Sequence, residues 1–428
     1  MAHSDGDGSS NGNGRRRRVV ITGLGVVSAI GTGKTAYWES LRAARSGIKK
    51  ITSFDASTYP CQIAAEISDF DPGDFMPLQL ARRIDRFAQL GLAAAKLAVK
   101  DARLRIDNGE QSRTGVLIGT SVGTLCYAEQ QIALFYEKGV TRINPFFGTS
   151  VIPSSAATQI MLNLKIKGPS RTITTACASG TWAVGEAFHS IRDGQSDVIL
   201  AGGSEAPITP LVVSTLSSIQ LLSVENDGPE TSFRPYSKDA SGFVLGEGAG
   251  ILILEELDHA LRRGARIYAE VIGFGSSADA YHVMSFDPSF EQPVVAIHGA
   301  LKEAHVNPAE VGYINPHGIA IPDNDRGEAS ILRKAFGEAA YAIPISATKP
   351  LTGHTLGAGG ALELIACCLM MKHGYLHPTI NLRERDPLCD LNYLPNEGSC
   401  RQVDTMMSMS FGFGGYNAAC LIRKCDAN

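Results

Sequence analysis

Apolar and polar positions along the chain follow two rhythms. Residues 19–22, the apolar run Val-Val-Ile-Thr, predict a buried strand. Residues 36–44 and 78–104 show helical spacing, the second as one long amphipathic helix. Glycine-bounded apolar runs at 114–119, 197–203, 249–254 and 266–273 predict further strands. The second half repeats the style. Helices are expected at 293–304, 325–336 and 359–372, and strands at 311–315, 343–347, 405–410 and 418–422. Strands alternating with helices imply an α/β architecture in which helices cover a sheet. The stretch 120–170 has little regular period and many Pro, Gly and aromatic residues, so it predicts an irregular connection. The polar, Gly/Ser-rich residues 1–14 predict a disordered tail.

The chain has 428 residues, enough for two large fused halves or three ordinary domains. It is 44% hydrophobic and 19% charged, which excludes a disordered protein. A formal net charge of −4 argues against general nucleic-acid binding. The nine cysteines form no C-x-x-C pair and no zinc-spaced cluster, so no metal site is expected and a reducing intracellular compartment fits. Arg15–Arg18 before the apolar run 19–30 imitates a signal peptide, but that run contains Gly23, Gly25 and Ser28 and no clean cleavage site follows. No run reaches the length of a membrane span.

Two glycine-rich motifs invite a nucleotide reading. Gly23-Leu-Gly-Val-Val-Ser28 has serine at the third glycine position of a dinucleotide fingerprint, and lysines stand where its acidic residue is expected. Gly33-Lys34-Thr35 ends like a phosphate loop, but the loop's first glycine is Ser28. A turn entering a helix at Lys34 is the preferred reading.

Three other segments carry candidate chemistry. Thr174-Thr-Ala-Cys177-Ala-Ser-Gly180 places a cysteine between a strand and a helix, where N–H groups and the helix dipole favour a thiolate. Asn315-Pro-His317-Gly puts a histidine at a strand end. Lys349-Pro-Leu-Thr-Gly-His354 puts another at the entry of a helix rich in glycine and alanine.

Together these segments resemble the β-ketoacyl-[acyl-carrier-protein] synthases of the thiolase superfamily. The resemblance runs over residues 17–424. It includes Val-Val-Ile-Thr-Gly-Leu-Gly25, Arg234-Pro-Tyr236, Gly242-Phe-Val-Leu-Gly-Glu-Gly-Ala-Gly250 and Ser410-Phe-Gly-Phe-Gly-Gly415. It implies a five-layered αβαβα thiolase-like fold with two similar halves: a tail at 1–16, a half at 17–265 with the nucleophilic cysteine, and a half at 266–424 with two histidines. By resemblance, Cys177 accepts the acyl chain, while His317 and His354 bind the malonyl thioester carbonyl and promote decarboxylation. Lys349 and Glu363 support the second histidine, Asp325 is an acidic partner of Lys349, and Phe413 is a gate. The N–H groups of Cys177 and Phe413 match an oxyanion hole.

The implied reaction is decarboxylative condensation of an acyl group on Cys177 with malonyl-acyl-carrier protein. No cofactor is expected beyond the phosphopantetheine borne by the carrier protein, and the expected location is the cytoplasm. The expected assembly is a homodimer, or a heterodimer with a Cys-less chain-length-factor homologue; the presence of Cys177 argues that this chain is not itself such a factor. A degradative thiolase would use two cysteines and a different histidine arrangement. A scaffold subunit would show a broken catalytic set.

Several positions depart from the family pattern. Ile319 and Ile321 replace threonines that usually face the pantetheine, Met284 matches a third, and Tyr416 replaces a threonine in Gly-Gly-Thr-Asn. A more apolar tunnel and a specialised polyketide or polyene pathway are expected, rather than housekeeping fatty-acid elongation. Val122, Phe146, Met284, Ile319, Ile321 and Phe411 are the expected acyl or pantetheine pocket, with Phe147 a candidate beside Phe146. Arg82, Arg83 and Arg86 are the expected docking site for an acidic carrier protein, a solvated face shared with Asp85 being the bland alternative.

Overall fold

The computed structural model describes residues 16–107 and 109–426, so the expected tail falls outside the described residues except for Arg16. The first half supplies strands β1 (Val19–Ser28), β2 (Thr114–Gly119), β3 (Ser170–Ile173), β4 (Val198–Glu205) and β5 (Gly248–Glu256). The second supplies β6 (Ala269–Ala278), β7 (Tyr313–Asn315), β8 (Thr405–Gly412) and β9 (Tyr416–Arg423). They form one ten-stranded hydrogen-bonded sheet in the order β3-β2-β4-β5-β1-β6-β9-β8-β7, with the short strand Gly31–Thr32 folded back on β1.

The order shows an internal duplication. In chain order the first half runs third-second-fourth-fifth-first, with the third and second strands parallel to the fourth and the fifth antiparallel. The second half repeats these positions and directions. Its third place is taken by the predicted strand at 343–347, which is reduced to a single parallel bridge between Ile314 and Ile345. Two causes shorten it. Pro344 has no N–H to donate, and the Ile345 N–H goes to the Asn392 carbonyl at 2.8 Å instead.

The longest helices are α1 (Arg86–Ala102), α2 (Leu125–Lys138), α3 (Ser155–Leu164), α4 (Ser179–Arg192), α5 (Glu291–Ala304), α6 (Pro322–Phe336) and α7 (Gly359–His373). Helices α1 and α3 cover one outer face, and α5 and α6 the other. Helices α4 and α7 lie against each other between the halves, giving five layers. α7 is apolar around its circumference because it is buried; with the turn before it, the apolar stretch Leu356–His373 is 89% buried inside the protein, as a core helix is.

Two expectations change. The helix expected over 78–104 breaks in two, at Leu78–Ala81 and at α1. Asp85 is the reason: its carboxylate accepts the Phe87 N–H and caps α1, so it is buried and not part of a solvated face. The connection 120–170 contains α2, α3 and the short helix Phe147–Ser150. Much of α2 is exposed, with Ile132, Phe135 and Tyr136 on the surface, which blurs the helical periodicity.

The Gly-x-Gly motif lies inside β1. A Cβ on Gly25 would collide with the Ala94 carbonyl of α1, and Gly275 stands in the same relation to Ala296 of α5. These glycines allow close helix–sheet packing in each half rather than a nucleotide turn. Lys34 is likewise occupied, by Asp101 and by the Tyr268 hydroxyl.

Candidate active site

The central helices bring the chemistry together. α4 and α7 begin side by side, and each has glycine as its second residue. A Cβ on Gly180 would meet the Gly357 carbonyl at 2.8 Å, and one on Gly360 would meet Thr181. The close approach sets the Cys177 turn before α4 against the His354 turn before α7. Cys177 sits on a tight elbow: Ala176 is left-handed at φ 49°, a conformation that costs about 1–2 kcal/mol in an L-residue. The Ser179 hydroxyl stitches the elbow, bonding to Ala176 O at 2.6 Å and accepting the Thr175 N–H at 2.8 Å.

His354 Nε2 lies 3.2 Å from Cys177 Sγ. The His317 and His354 rings stand nearly perpendicular with centroids 5.5 Å apart, and Phe411 and Phe243 border them. Both imidazoles are buried, and burial followed by the Lys349 charge holds their pKa values well below the ordinary histidine value. They are neutral at pH 7. Lys349 Nζ bonds Glu363 Oε1 at 2.6 Å, and both side chains are only 3% exposed. Burial pushes the Glu363 carboxyl up, and the Lys349 charge opposes that.

The expectation of a thiolate at Cys177 is reversed in the resting site. Burial pushes its thiol up to about 12. Lys349 and the N–H groups of Phe413 and Cys177 favour the charged form, but desolvation outweighs them. The Phe413 and Cys177 N–H groups thus act on the sulfur, where the resemblance puts an oxyanion hole.

Asp325 does not touch Lys349. Its carboxylate accepts the Tyr236 N–H at 2.8 Å and the Ile319 N–H at 3.2 Å. Glu328, one helical turn on, accepts the N–H groups of His317 at 2.6 Å and Gly318 at 2.9 Å and the Tyr236 hydroxyl at 2.7 Å. Burial pushes Asp325 up to about 8 and Glu328 up as well. These carboxyls hold the histidine loop through its backbone. Sequence reasoning missed Glu328 and Tyr236; the i, i+3 spacing of two acids on one helix face was the available signal.

The three reactive side chains open into a cavity of about 300 Å³. Val122, Ile319 and Phe411 line it, with Met284 near its mouth. Ile321 is not a lining residue; it precedes α6 and packs beside the cluster around Phe243. Phe146 is also off the cavity: it is 43% exposed and lies under the Arg83 guanidinium at 4.5 Å. Phe147 packs on Tyr127. Phe413 lines the cavity just beyond β8, and Gly414 donates to Val283 O at 2.7 Å, linking its turn to the mouth. Arg82 and Arg83 are exposed, but Arg86 is drawn inward by Glu247 at 2.6 Å and by the Ile67 carbonyl at 2.8 Å, so it is not free to dock a partner.

The chain is similar to known proteins over nearly its whole length. The β-ketoacyl synthase N-terminal domain profile matches residues 16–260 and the C-terminal domain profile residues 268–383. The 3-oxoacyl-[acyl-carrier-protein] synthase 2 of Coxiella burnetii is 42% identical over 96% of this chain and 99% of its own. The Synechocystis protein of the same name is 42% identical over 96% and 98%. Among solved structures, the ishigamide ketosynthase/chain length factor superposes with TM-score 0.90 at 35% identity, over 96% of this chain and all of that one. A type II polyketide ketosynthase in complex with its acyl-carrier protein gives 0.87 at 34%, with the same coverage. With the thiolase-like layers and full-length matches in both halves, the chain belongs to the β-ketoacyl synthase family and is a condensing acyltransferase of that family.

Proposed function

We propose that this chain extends an acyl group by two carbons in a specialised type II polyketide or polyene pathway, with Cys177 as the acyl carrier. Cys177 Sγ attacks the acyl-carrier thioester. The pantetheine sulfur leaves and takes the proton lost by the thiol. Malonyl-carrier protein then enters, and its C–C bond breaks to release CO₂ and leave an enolate. Neutral His317 and His354 donate to the enolate oxygen, a role that burial and Lys349 favour by keeping the rings uncharged. The enolate carbon attacks the acyl-Cys177 carbonyl. The N–H groups of Cys177 and Phe413 hold the oxyanion until the thiolate departs and is reprotonated from solvent. This chemistry draws on no redox cofactor or metal, and the phosphopantetheine arrives on the carrier protein.

The observation that carries the specialised reading is Ile319, which lines the cavity with Cys177, His317 and His354. It removes a hydroxyl from a place where an amide-rich arm would pass. Housekeeping elongation is the second reading, favoured by the 42% identity to 3-oxoacyl-[acyl-carrier-protein] synthases. A partner-dependent or scaffold subunit is less favoured, because the Cys-His-His set is assembled. The reading places the enzyme in the cytoplasm with its carrier protein. The exposed edge strand β3, with Phe135, Tyr136 and Leu162 on the surface of α2 and α3, supports a dimer face for a second copy or a homologue.

Intact-mass analysis tests this reading. Wild type mixed with acyl- and malonyl-carrier protein, with and without a co-encoded homologue, is expected to gain an acyl adduct and release β-ketoacyl-carrier protein. If the chain alone builds full-length saturated fatty acids on ordinary carrier protein, the specialised assignment is wrong. Charge reversal at Arg82 and Arg83 is expected to raise the carrier-protein KM by about tenfold with little change in kcat. An unchanged KM removes both arginines from docking.

A further inference from the structure

Glu205 ends β4 and is fully buried. No cation lies within ion-pair distance of it among the described residues. Its carboxylate instead gathers five donors. Oε2 accepts from Ser121 N at 2.5 Å and Gly357 N at 3.0 Å. Oε1 accepts from Thr120 Oγ1 at 2.9 Å and from Val122 N and Gly123 N at 3.1 Å each.

These donors come from two places that frame the reactive pair. The 120–123 turn carries Val122, which lines the cavity, and its Thr120 carbonyl accepts the Ser179 hydroxyl that stitches the Cys177 elbow. Gly357 lies three residues beyond His354. Only a carboxylate presents acceptors at both ends; a glutamine would turn an NH₂ group toward N–H donors. Burial pushes the Glu205 carboxyl up to about 7 against these donors, so above that pH it is a carboxylate held by backbone dipoles, as in an anion-binding nest. It also acts on the reactive sulfur: Glu205 opposes the Cys177 thiolate while Lys349 favours it. Cys126 on α2 is raised too, chiefly by burial, with Asp85, Glu205, Glu247 and Glu129 adding to it.

We propose that Glu205 is a positioning residue for the Cys177–His354 pair, clamping the 120–123 turn and the Gly357 turn on either side of the cavity so that thiol and imidazole meet at a fixed distance. The inference rests on Cys177 being the acyl carrier. Glu205→Gln removes the charge and one acceptor. Its kcat for condensation is expected to fall by about tenfold or more, with the carrier-protein KM within about twofold of wild type.

Iodoacetamide alkylation of Cys177, resolved by site with mass spectrometry, gives a readout that a purely structural residue would not move. In wild type the rate is expected to climb through about pH 9 without a plateau, because the thiol is raised. In Glu205→Gln the climb is expected to begin at lower pH. Glu205→Asp keeps the charge but is one methylene too short to hold both turns. It is expected to lose kcat while keeping the wild-type alkylation profile. A folded Glu205→Gln with wild-type kcat and an unmoved profile overturns the proposal. So does a change confined to KM, or a failure of both variants to fold, which would make the residue a stabiliser of the fold alone. If wild type forms no acyl-Cys177, the reading of Cys177 fails, while the alkylation comparison still tests the clamp.

Discussion

Cys177→Ala is expected to abolish the acyl adduct and to lower condensation by at least about 10⁴-fold, since no other thiol faces the two histidines. All nine cysteines are free, but Cys367, Cys368 and Cys420 lie in the core and Cys400 lies on the surface. None of the other eight lines this cavity, so none can take over the acyl chain there. The variant should fold normally, because losing one sulfur at a position that opens into a cavity removes little packing. It should also still release CO₂ from malonyl-carrier protein, because His317, His354 and Lys349 are untouched and decarboxylation needs no acyl-enzyme. The check is a paired assay of β-ketoacyl product and CO₂ on the same preparation. Loss of both activities in a folded Cys177→Ala protein would mean that the cysteine does more than carry the acyl group.

Lys349→Met is expected to cost about 3–5 kcal/mol of stability as well as activity, because it leaves the Glu363 carboxylate buried without its partner. The same lysine adds to burial in keeping both histidines neutral, so its removal changes the electrostatics of all three reactive groups. Stability and catalysis can be separated with a second change. The double variant Lys349→Met, Glu363→Leu removes both charges and should recover most of the stability. Its decarboxylation should stay about 10²-fold or more below wild type, since the positive field at the histidines is absent. Denaturation midpoints and CO₂ release, measured on the single and double variants together, check this. If activity returns with stability, the ion pair serves only the fold.

Much of the architecture was legible in the chain. β2 begins and ends where its glycine-bounded run predicts, and β4, β5, β6 and the two closing strands overlap their expected runs. The cysteine elbow and the two histidine turns were also visible, because small residues and glycines mark a chain that must bend tightly or be approached closely. The errors share a cause. Asp85, a surface acid only in the alternative to carrier docking, is a buried helix cap; Arg86, one of the three expected docking cations, is held by Glu247. Arg86 meets Glu247 from far away in sequence, and Asp85, beside its local cap to Phe87, accepts the distant Tyr127 N–H at 3.3 Å.

The sequence by itself determined where most strands of the sheet lie, which turn holds the nucleophile, and which residue types could do the chemistry. Local periodicity, glycine placement and segment order are enough for that. The tertiary structure decided which charges meet and what they do to each other. Cys177 and His354 are 177 positions apart and touch only because α4 and α7 cross at Gly180 and Gly360. Lys349 pairs with Glu363 and not Asp325, and Glu205 joins two turns more than 200 residues apart. Protonation follows the same rule. A thiol at a helix entrance favours its thiolate when read locally, but the layers packed around Cys177 exclude enough water to keep the proton in place.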